Sequence, residues 1–203
     1  EFVACVKLIG NNYGGINLED IKAPECFLIE ERLKEELDVP VFHDDQHGTA
    51  IITAAGFINA LHLTGRDITD TRVVVNGAGA SAIACVDLIK KMGMPNENVT
   101  LCDSRGVIYR GRENGMNQWK SAHAVETNAR DLEQALKGAD VFIGLSTKDV
   151  VSQDMVKSMA EKPIIFALAN PTPEILPEEV LEVRQDAIIA TGRIRAFKLS
   201  GSS

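Results

Sequence analysis

The sequence lacks the features that mark several classes of protein. Its four cysteines lie far apart and form no C-x-x-C pair, which excludes a fold built on disulfide bridges and favours reduced thiols in a cytoplasmic protein. No apolar run approaches the roughly 18 to 20 residues that cross a bilayer. No charged segment followed by an apolar one stands at the N-terminus, so the sequence predicts neither a membrane protein nor an exported one.

Basic residues are also in deficit. The chain has 21 Lys and Arg against 29 Asp and Glu, a net charge of −8, and no basic stripe is present. A protein that binds nucleic acid needs cations for the phosphates, so this balance excludes a nucleic-acid partner. Part of the acidic surplus lies at Glu30, Glu31, Glu35 and Glu36, which alternate with basic residues, and this pattern predicts a solvated helix face.

The 203 residues suffice for one domain and a short appendage, and they alternate short apolar runs with longer segments at helical spacing. This alternation predicts an α/β fold in which helices cover a parallel sheet. The predicted strands span 72–76, 98–102, 140–145, 164–168 and 187–190, and the predicted helices between them span 80–92, 128–137, 153–159 and 177–183.

The segment before residue 70 is organised differently. One helix begins near Pro24, another spans 49–63, and the polar residues 64–70 connect it to the first predicted strand of the sheet. We therefore divide the chain into an N-terminal helical and loop segment at 1–69, a sheet domain at 70–193 and a divergent tail or linker at 194–203.

A glycine-rich turn follows the first strand of the sheet domain. Residues 77–82 read GAGASA, which fits G-x-G-x-x-A and leads directly into a helix. Gly77 permits the tight turn, Gly79 lets the backbone approach a pyrophosphate, and Ala82 allows close packing of helix and strand. The turn predicts a Rossmann-like, doubly wound sheet that binds a dinucleotide at the helix N-terminus, and a glycine turn that binds nothing is the alternative.

A carboxylate stands where such a domain needs one. Asp103 follows Ala82 by 21 residues, at the end of the next predicted strand, and this spacing suits an acceptor for the ribose hydroxyls of the adenosine. NAD is therefore favoured. Ser104 and Arg105 leave NADP open, because an arginine suits a 2′-phosphate.

Two further loops are rich in acids. Glu19 and Asp20 follow a glycine pair, and Asp44 and Asp45 stand between an extended segment and a helix. Carboxylates from two loops can converge on Mg²⁺ or Mn²⁺, which prefer oxygen ligands. The alternative is that Asp44 and Asp45 cap the helix that follows them.

Two histidines in the second acidic loop raise a zinc site as another interpretation. His43 and His47 stand four residues apart, so their side chains would face the same metal ion only if both lay on a helix. Gly48 places the start of the predicted helix after both. We therefore interpret either histidine as a loop residue that supports the site.

Five segments, GGINLEDI, PVFHDDQHGTA, VVVNGAGA, VFIGLS and FALANPTPEI, closely resemble the bacterial malic enzymes, in the same order and over nearly the whole chain. The resemblance implies oxidative decarboxylation of (S)-malate to pyruvate and CO₂, with reduction of NAD or NADP and with Mn²⁺ or Mg²⁺ bound. It implies that 1–69 is a remnant of the malate- and metal-binding domain and that 70–193 is the NAD(P)-binding domain. It also implies that the parent protein is a homo-oligomer.

The resemblance assigns roles to individual residues. Glu19, Asp20 and Asp45 would bind the metal, and Asp44 would position the general base. Asn170 would reach the nicotinamide or the substrate, although from the residues alone it reads as part of an ordinary turn. The expected cofactor-binding residues are Asn76, Gly77, Gly79, Ala80, Ser81, Ala82, Asp103, Gly144, Leu145, Ser146 and Asn170.

The chain departs from the family at its ends. The family's catalytic lysine and tyrosine lie upstream of the matched segments, and Lys7 and Tyr13 stand in other motif positions. We therefore expect the isolated chain to bind cofactor but to turn malate over negligibly. Two alternatives stay open: a dinucleotide-binding module without catalysis, and a malolactic enzyme that converts malate to lactate.

Overall fold

The computed structural model describes residues 1–192, so the tail predicted at 194–203 and the preceding Arg193 lie outside the described residues. The helices are α1 Phe2–Gly10, α2 Glu25–Glu36, α3 Thr49–Thr64, α4 Ala80–Lys91, α5 Gln118–Ser121, α6 Leu132–Leu136, α7 Gln153–Ser158 and α8 Pro177–Val183. The strands are β1 Ile16–Leu18, β2 Val41–His43, β3 Val73–Asn76, β4 Val99–Asp103, β5 Gly106–Val107, β6 Val141–Gly144, β7 Ile164–Ala167 and β8 Ile188–Thr191.

Six strands form the central sheet in the order β5-β4-β3-β6-β7-β8. All neighbours are parallel except β4 and β5. Asn76 lies opposite Cys102 on one side and Gly144 on the other, and Gly144 lies opposite Ala167. The chain reverses its direction of strand addition at β3, so the loops after β3 and β6 flank the point where open α/β sheets bind ligands.

Alternating side chains of the strands build one core on each face of the sheet. Val73 and Val75 pack with residues of α3 and α4, whereas Val74, between them, packs on the other face with residues of α6, α7 and α8. Strands that are apolar on both faces need helices on both faces. The structure therefore confirms the predicted α/β fold with a mostly parallel sheet covered on both sides.

The first 48 residues form a smaller unit beside this sheet. β1 and β2 pair in parallel, with Leu18 opposite His43. Leu18, Leu33, Leu37 and Val41 form the buried core of this unit. A single π-helical turn at Asp44–Gly48, which we call the π-turn, connects β2 directly to α3 and packs against α4.

One predicted helix and one predicted boundary differ from the observed packing. The helix expected at 128–137 is limited to Leu132–Leu136, because the Asp131 side chain accepts the Gln134 N–H and the Arg130 carbonyl accepts the Val107 N–H. Phe57 of α3 is fully buried in the core of the sheet domain, so α3 belongs with the sheet although it precedes the predicted boundary at residue 70.

No helix within residues 1–192 has both the length and the apolar character that crossing a bilayer requires. All four cysteines are free thiols, three of them buried and Cys5 exposed.

Candidate functional site

The carboxyl ends of β3, β6 and β7 bring three predicted binding loops to one edge of the sheet. The loop after β3 carries Gly77, the loop after β6 carries Leu145 and Ser146, and the loop after β7 carries Asn170. Backbone bonds tie these ends together, because Leu145 N–H donates to Asn76 O at 2.7 Å. The structure therefore places the three loops side by side, as parallel strands in register require.

The glycine turn has the backbone geometry that its sequence predicts. Gly77 has φ +122°, and a Cβ there would overlap the carbonyl of Leu145, so only glycine fits. Gly79 is the N-cap of α4, and a Cβ there would meet open space. The first intrahelical bond runs from Ile83 N–H to Gly79 O. The preceding amides, which belong to Ala80, Ser81 and Ala82, are those that the first turn of a helix leaves for a ligand.

A cleft of about 510 Å³ lies in front of this turn. It extends from the end of β4 to the loop after β6, which is the region that a dinucleotide occupies in a doubly wound sheet. Its lining residues are Asn76, Gly77, Ala78, Asp103, Ser104, Gly106, Lys120, Asp131, Leu132, Ser146, Thr147 and Val150.

Asp103 lines the cleft, but two basic side chains already bind its carboxylate. Arg112 donates to both of its oxygens at 2.8 and 2.9 Å, and Lys120 Nζ donates to Oδ2 at 2.7 Å. Burial raises the pKa of Asp103, but the bonds from Lys120 and Arg112 outweigh this, so its pKa lies below the ordinary value. The sequence reasoning missed both partners, since neither stands at a motif position and only folding brings them to Asp103.

A buried polar network joins the loops at the other end of the cleft. Asn76 Nδ2 donates to Ser146 Oγ at 2.8 Å, and Ser146 N–H donates to Glu174 Oε1 at 3.0 Å. Ala169 N–H, beside Asn170, donates to Glu174 Oε2 at 3.1 Å. Glu174 is fully buried. It lies in the segment FALANPTPEI, but the sequence reasoning gave it no role, because its burial and its contact with the loop after β6 arise only in the folded protein. Asn170 itself is exposed.

The two acidic loops also meet. Glu19 and Asp20 follow β1, and Asp44 and Asp45 lie in the π-turn that follows β2, so parallel pairing of these strands places the loops next to each other. Asp20 N–H donates to Asp45 Oδ2 at 2.8 Å. Residues 1–192 contain no preassembled group of three His, Cys, Asp or Glu side chains that would enclose an ion.

The acids match a hard divalent cation in donor chemistry. All the candidate ligands are carboxylates, and the Asp20–Asp45 contact joins the two loops that carry them. The helix-cap alternative has no support, because Gly48 is the N-cap of α3 and no side chain caps it. Backbone bonds replace such a cap, since Thr49 N–H donates to the carbonyls of Asp44 and Gln46.

The predicted solvated face of α2 is wrong at one position. Glu30 is buried and accepts from Gln46 Nε2 at 3.3 Å, and it pairs with His47 Nε2 at 2.6 Å and Lys34 Nζ at 2.8 Å. Gln46 and His47 both belong to the π-turn, so Glu30 ties α2 to the loop that carries two of the acids. His43, the last residue of β2, is fully buried, whereas His47 lies in the π-turn and pairs with Glu30. A supporting role for either histidine stays a prediction.

Comparison with known proteins points to one family. A family model described as "Malic enzyme, NAD binding domain" matches residues 46–196. The chain is 67% identical over 193 residues to an NADP-dependent malic enzyme of Rhizobium meliloti, and the matched region covers 95% of this chain and 25% of that protein. It is 51% identical over 197 residues to a bifunctional malic/malolactic enzyme of Bacillus subtilis, with coverages of 95% and 47%.

A solved structure agrees with the sequence matches. The crystal structure of an NAD-dependent malic enzyme from Thermotoga maritima superposes with a TM-score of 0.90 at 44% identity, and covers 96% of this chain and 52% of that one. The chain therefore spans about a quarter of the length of the Rhizobium relative and about half of the other two proteins.

Proposed function

Because the chain belongs to the malic enzyme family, whose NAD-binding domain it contains, we propose that it carries the cofactor cleft and the metal-binding acids of an enzyme that oxidatively decarboxylates (S)-malate. The reaction would yield pyruvate and CO₂ and reduce NAD(P)⁺. One observation carries this proposal: the π-turn with Asp44 and Asp45 packs against α4, the helix that begins at the glycine turn. The acids therefore adjoin the helix that would bind the dinucleotide.

Different residues of the cleft and the acidic loops would bind the cofactor, the metal and the substrate. The N–H groups of the first turn of α4 would bind the pyrophosphate, and Ser146 and Asn170, at the ends of β6 and β7, would contact the nicotinamide end. Asp44 would position the general base. Glu19, Asp20 and Asp45 would hold Mn²⁺ or Mg²⁺, which when bound would draw electron density from the C2 oxygen of the substrate.

We further propose that the cofactor is NADP, although the spacing of Asp103 alone favours NAD. Arg112 and Lys120 occupy the acceptors that the ribose hydroxyls would need, and Lys120 itself lines the cleft. A cation at this position suits a 2′-phosphate. Support also comes from the name of the Rhizobium relative, which is described as NADP-dependent.

The cofactor proposal is tested with Lys120→Ala, using Lys91→Ala on the exposed face of α4 as the matched control. We expect the affinity for NADPH, followed by its fluorescence, to fall about 10-fold on loss of a charged contact, with NADH affinity unchanged or increased. Equal affinities of Lys120→Ala and Lys91→Ala for NADPH would contradict it.

The reaction itself is tested on the protein of which this chain is a part. With malate, NADP⁺ and Mn²⁺, we expect equal amounts of pyruvate and NADPH. Lactate without net cofactor reduction would instead support the malolactic alternative, which the Bacillus relative's name keeps open. Cofactor binding without any product would support a module that binds and does not catalyse.

Assembly and location stay predictions. A homo-oligomeric parent protein is supported by exposed apolar side chains on α3, among them Ile52 and Leu63, and light scattering of the purified protein tests it. The free thiols are compatible with the cytoplasmic location that the sequence predicts.

A further inference from the structure

Glu174 is a fully buried acid at the edge of the sheet where the cofactor would bind. Within residues 1–192, no basic side chain forms an ion pair with it, and its partners are instead the amide N–H groups of Ser146 and Ala169. Burying a carboxyl group costs free energy unless both of its oxygens are hydrogen-bonded. Each oxygen of Glu174 has a partner, and the two partners belong to different loops.

The residues around Glu174 leave space for its carboxyl group and connect it to a third strand through hydrogen bonds. A Cβ on Gly144, the last residue of β6, would overlap the carboxyl group of Glu174. Ser146 Oγ lies 3.4 Å from Glu174 Oε1 and accepts from Asn76 Nδ2 at 2.8 Å. The network therefore spans the carboxyl ends of β3, β6 and β7.

We propose that Glu174 is a positioning residue for the nicotinamide half of the cofactor. Its two oxygens set the spacing between the loop after β6, with Ser146, and the loop after β7, with Asn170. This inference rests on the proposed function, because it requires a dinucleotide in the cleft. A carboxylate is needed rather than an amide, since both contacts are with N–H donors and a glutamine has only one acceptor oxygen.

The position in the sheet determines which half of the cofactor is affected. Asp103 and Lys120 mark the adenosine side, at the end of β4, whereas Glu174 acts on the loops of β6 and β7 on the other side of β3. A change at Glu174 should therefore weaken contacts with the nicotinamide end and leave contacts with the adenosine end intact.

The test compares Glu174→Gln with the wild-type chain and with Glu178→Gln, an exposed acid nearby. The ligands are NADPH and 2′-phospho-ADP-ribose, which lacks only the nicotinamide. We expect Glu174→Gln to bind NADPH about 10-fold more weakly and 2′-phospho-ADP-ribose as tightly as the wild type, because one hydrogen bond to a charged acceptor is lost at one end. NADH and ADP-ribose form the corresponding pair if NAD is the cofactor.

A second pair of variants tests the position of the Glu174 side chain by a substitution at Gly144. Gly144→Ala should displace the carboxyl group and reproduce the selective loss of NADPH affinity. Glu174→Ala removes the overlapping group, so adding Gly144→Ala to it should cause no further loss.

The outcomes separate the two proposals. Equal weakening of both ligands in Glu174→Gln, or full additivity of Gly144→Ala and Glu174→Ala, would overturn the positioning role and leave the proposed function standing. A wild-type chain that binds neither NADPH nor NADH would overturn both. Because both ligands are measured on one sample, a partly unfolded variant loses sites for both and does not imitate the selective effect.

Discussion

Two regions of the chain carry predicted ligand sites and are built differently: the carboxyl ends of β3, β6 and β7, which we call the cofactor edge, and the acidic loops. At the cofactor edge, the predicted binding residues stand at the ends of strands whose register holds them side by side, and a polar network of Asn76, Ser146 and Glu174 joins the loops. At the acidic loops, a two-stranded sheet with four buried core residues supports the acids, and one bond, from Asp20 to Asp45, joins them.

The two regions differ in what holds their residues in place. A six-stranded sheet with helices on both faces fixes its strand ends through many backbone bonds, so the dinucleotide cleft needs little rearrangement. At the acidic loops, Asp20 N–H donates to Asp45 Oδ2, but within residues 1–192 no three acidic side chains converge, so a bound divalent cation would have to draw the like-charged groups together. We therefore expect changes at the cofactor edge to act through backbone geometry, and changes at the acidic loops to act through charge and loop position.

The largest effect is expected where backbone geometry is strictest. Gly77→Ala places a side chain at φ +122° and against the Leu145 carbonyl, so we expect a loss of folding stability of about 2 kcal/mol or more together with loss of NADPH binding. Denaturant unfolding and NADPH fluorescence measure the two effects. Gly79→Ala is the control that separates them, since it meets open space and should fold normally while blocking the pyrophosphate.

The acidic loops should respond to a single loss of charge without losing the fold. Asp45→Asn should weaken Mn²⁺ binding, followed by electron paramagnetic resonance, about 100-fold, because a charged ligand is removed. Unfolding stability and NADPH affinity should remain those of the wild type. Asp38→Asn, an exposed acid of the same small unit, serves as the control, and a similar loss of Mn²⁺ binding there would argue against a specific site.

A substitution at Glu30 tests whether contacts with α2 stabilise the π-turn. Glu30→Ala removes the acceptor for Gln46, His47 and Lys34, and we expect it to lower the free energy of unfolding by about 2 kcal/mol. It should also weaken Mn²⁺ binding, but less than Asp45→Asn does, and leave NADPH binding unchanged. The exposed neighbour Glu31 provides the control variant Glu31→Ala. Loss of NADPH affinity in Glu30→Ala would show that the two regions are not independent.

The smallest effect concerns pH at the cofactor edge. The pKa of Asp103 lies below its ordinary value of 3.8, so its ionised form stabilises the folded chain above that pH, and this contribution is lost as the pH falls through the folded pKa. Asp103→Asn lacks this contribution. The stability difference between wild type and Asp103→Asn should therefore shrink on acidification in denaturant titrations.

The central strands were predictable because each is a short apolar run bounded by turn residues. β3, β6 and β7 lie where the sequence places them, and the glycine turn follows β3 as expected. The two-residue strand β5 escaped prediction, since antiparallel pairing with β4 defines it and no local pattern does. The first residues of the helix expected at 128–137 were misassigned because Asp131 competes for the backbone as a cap.

The candidate site divides in the same way. Gly77, Gly79 and the acids were recognisable from motifs, since each depends on its immediate neighbours in the chain. The basic partners of Asp103, the burial of Glu30 and the position of Glu174 were not, because their partners lie in other elements. The sequence shows which side chains are charged, but the groups that pair with each charge depend on which helices, strands and loops pack next to it.

The amino-acid sequence by itself determined the α/β fold, the turn that would bind the pyrophosphate and the oxygen-rich chemistry of the acidic loops, because local spacing and residue type decide each of these. Only the tertiary structure decided that Lys120 enters the cleft beside Asp103, that Glu30 supports the π-turn and that Glu174 joins the loops after β6 and β7. The Lys120–Asp103, His47–Glu30 and Ser146–Glu174 contacts join residues 17 to 28 positions apart in the chain. Burial in the folded protein makes each of them matter, because a polar group removed from water must find its partners within the protein.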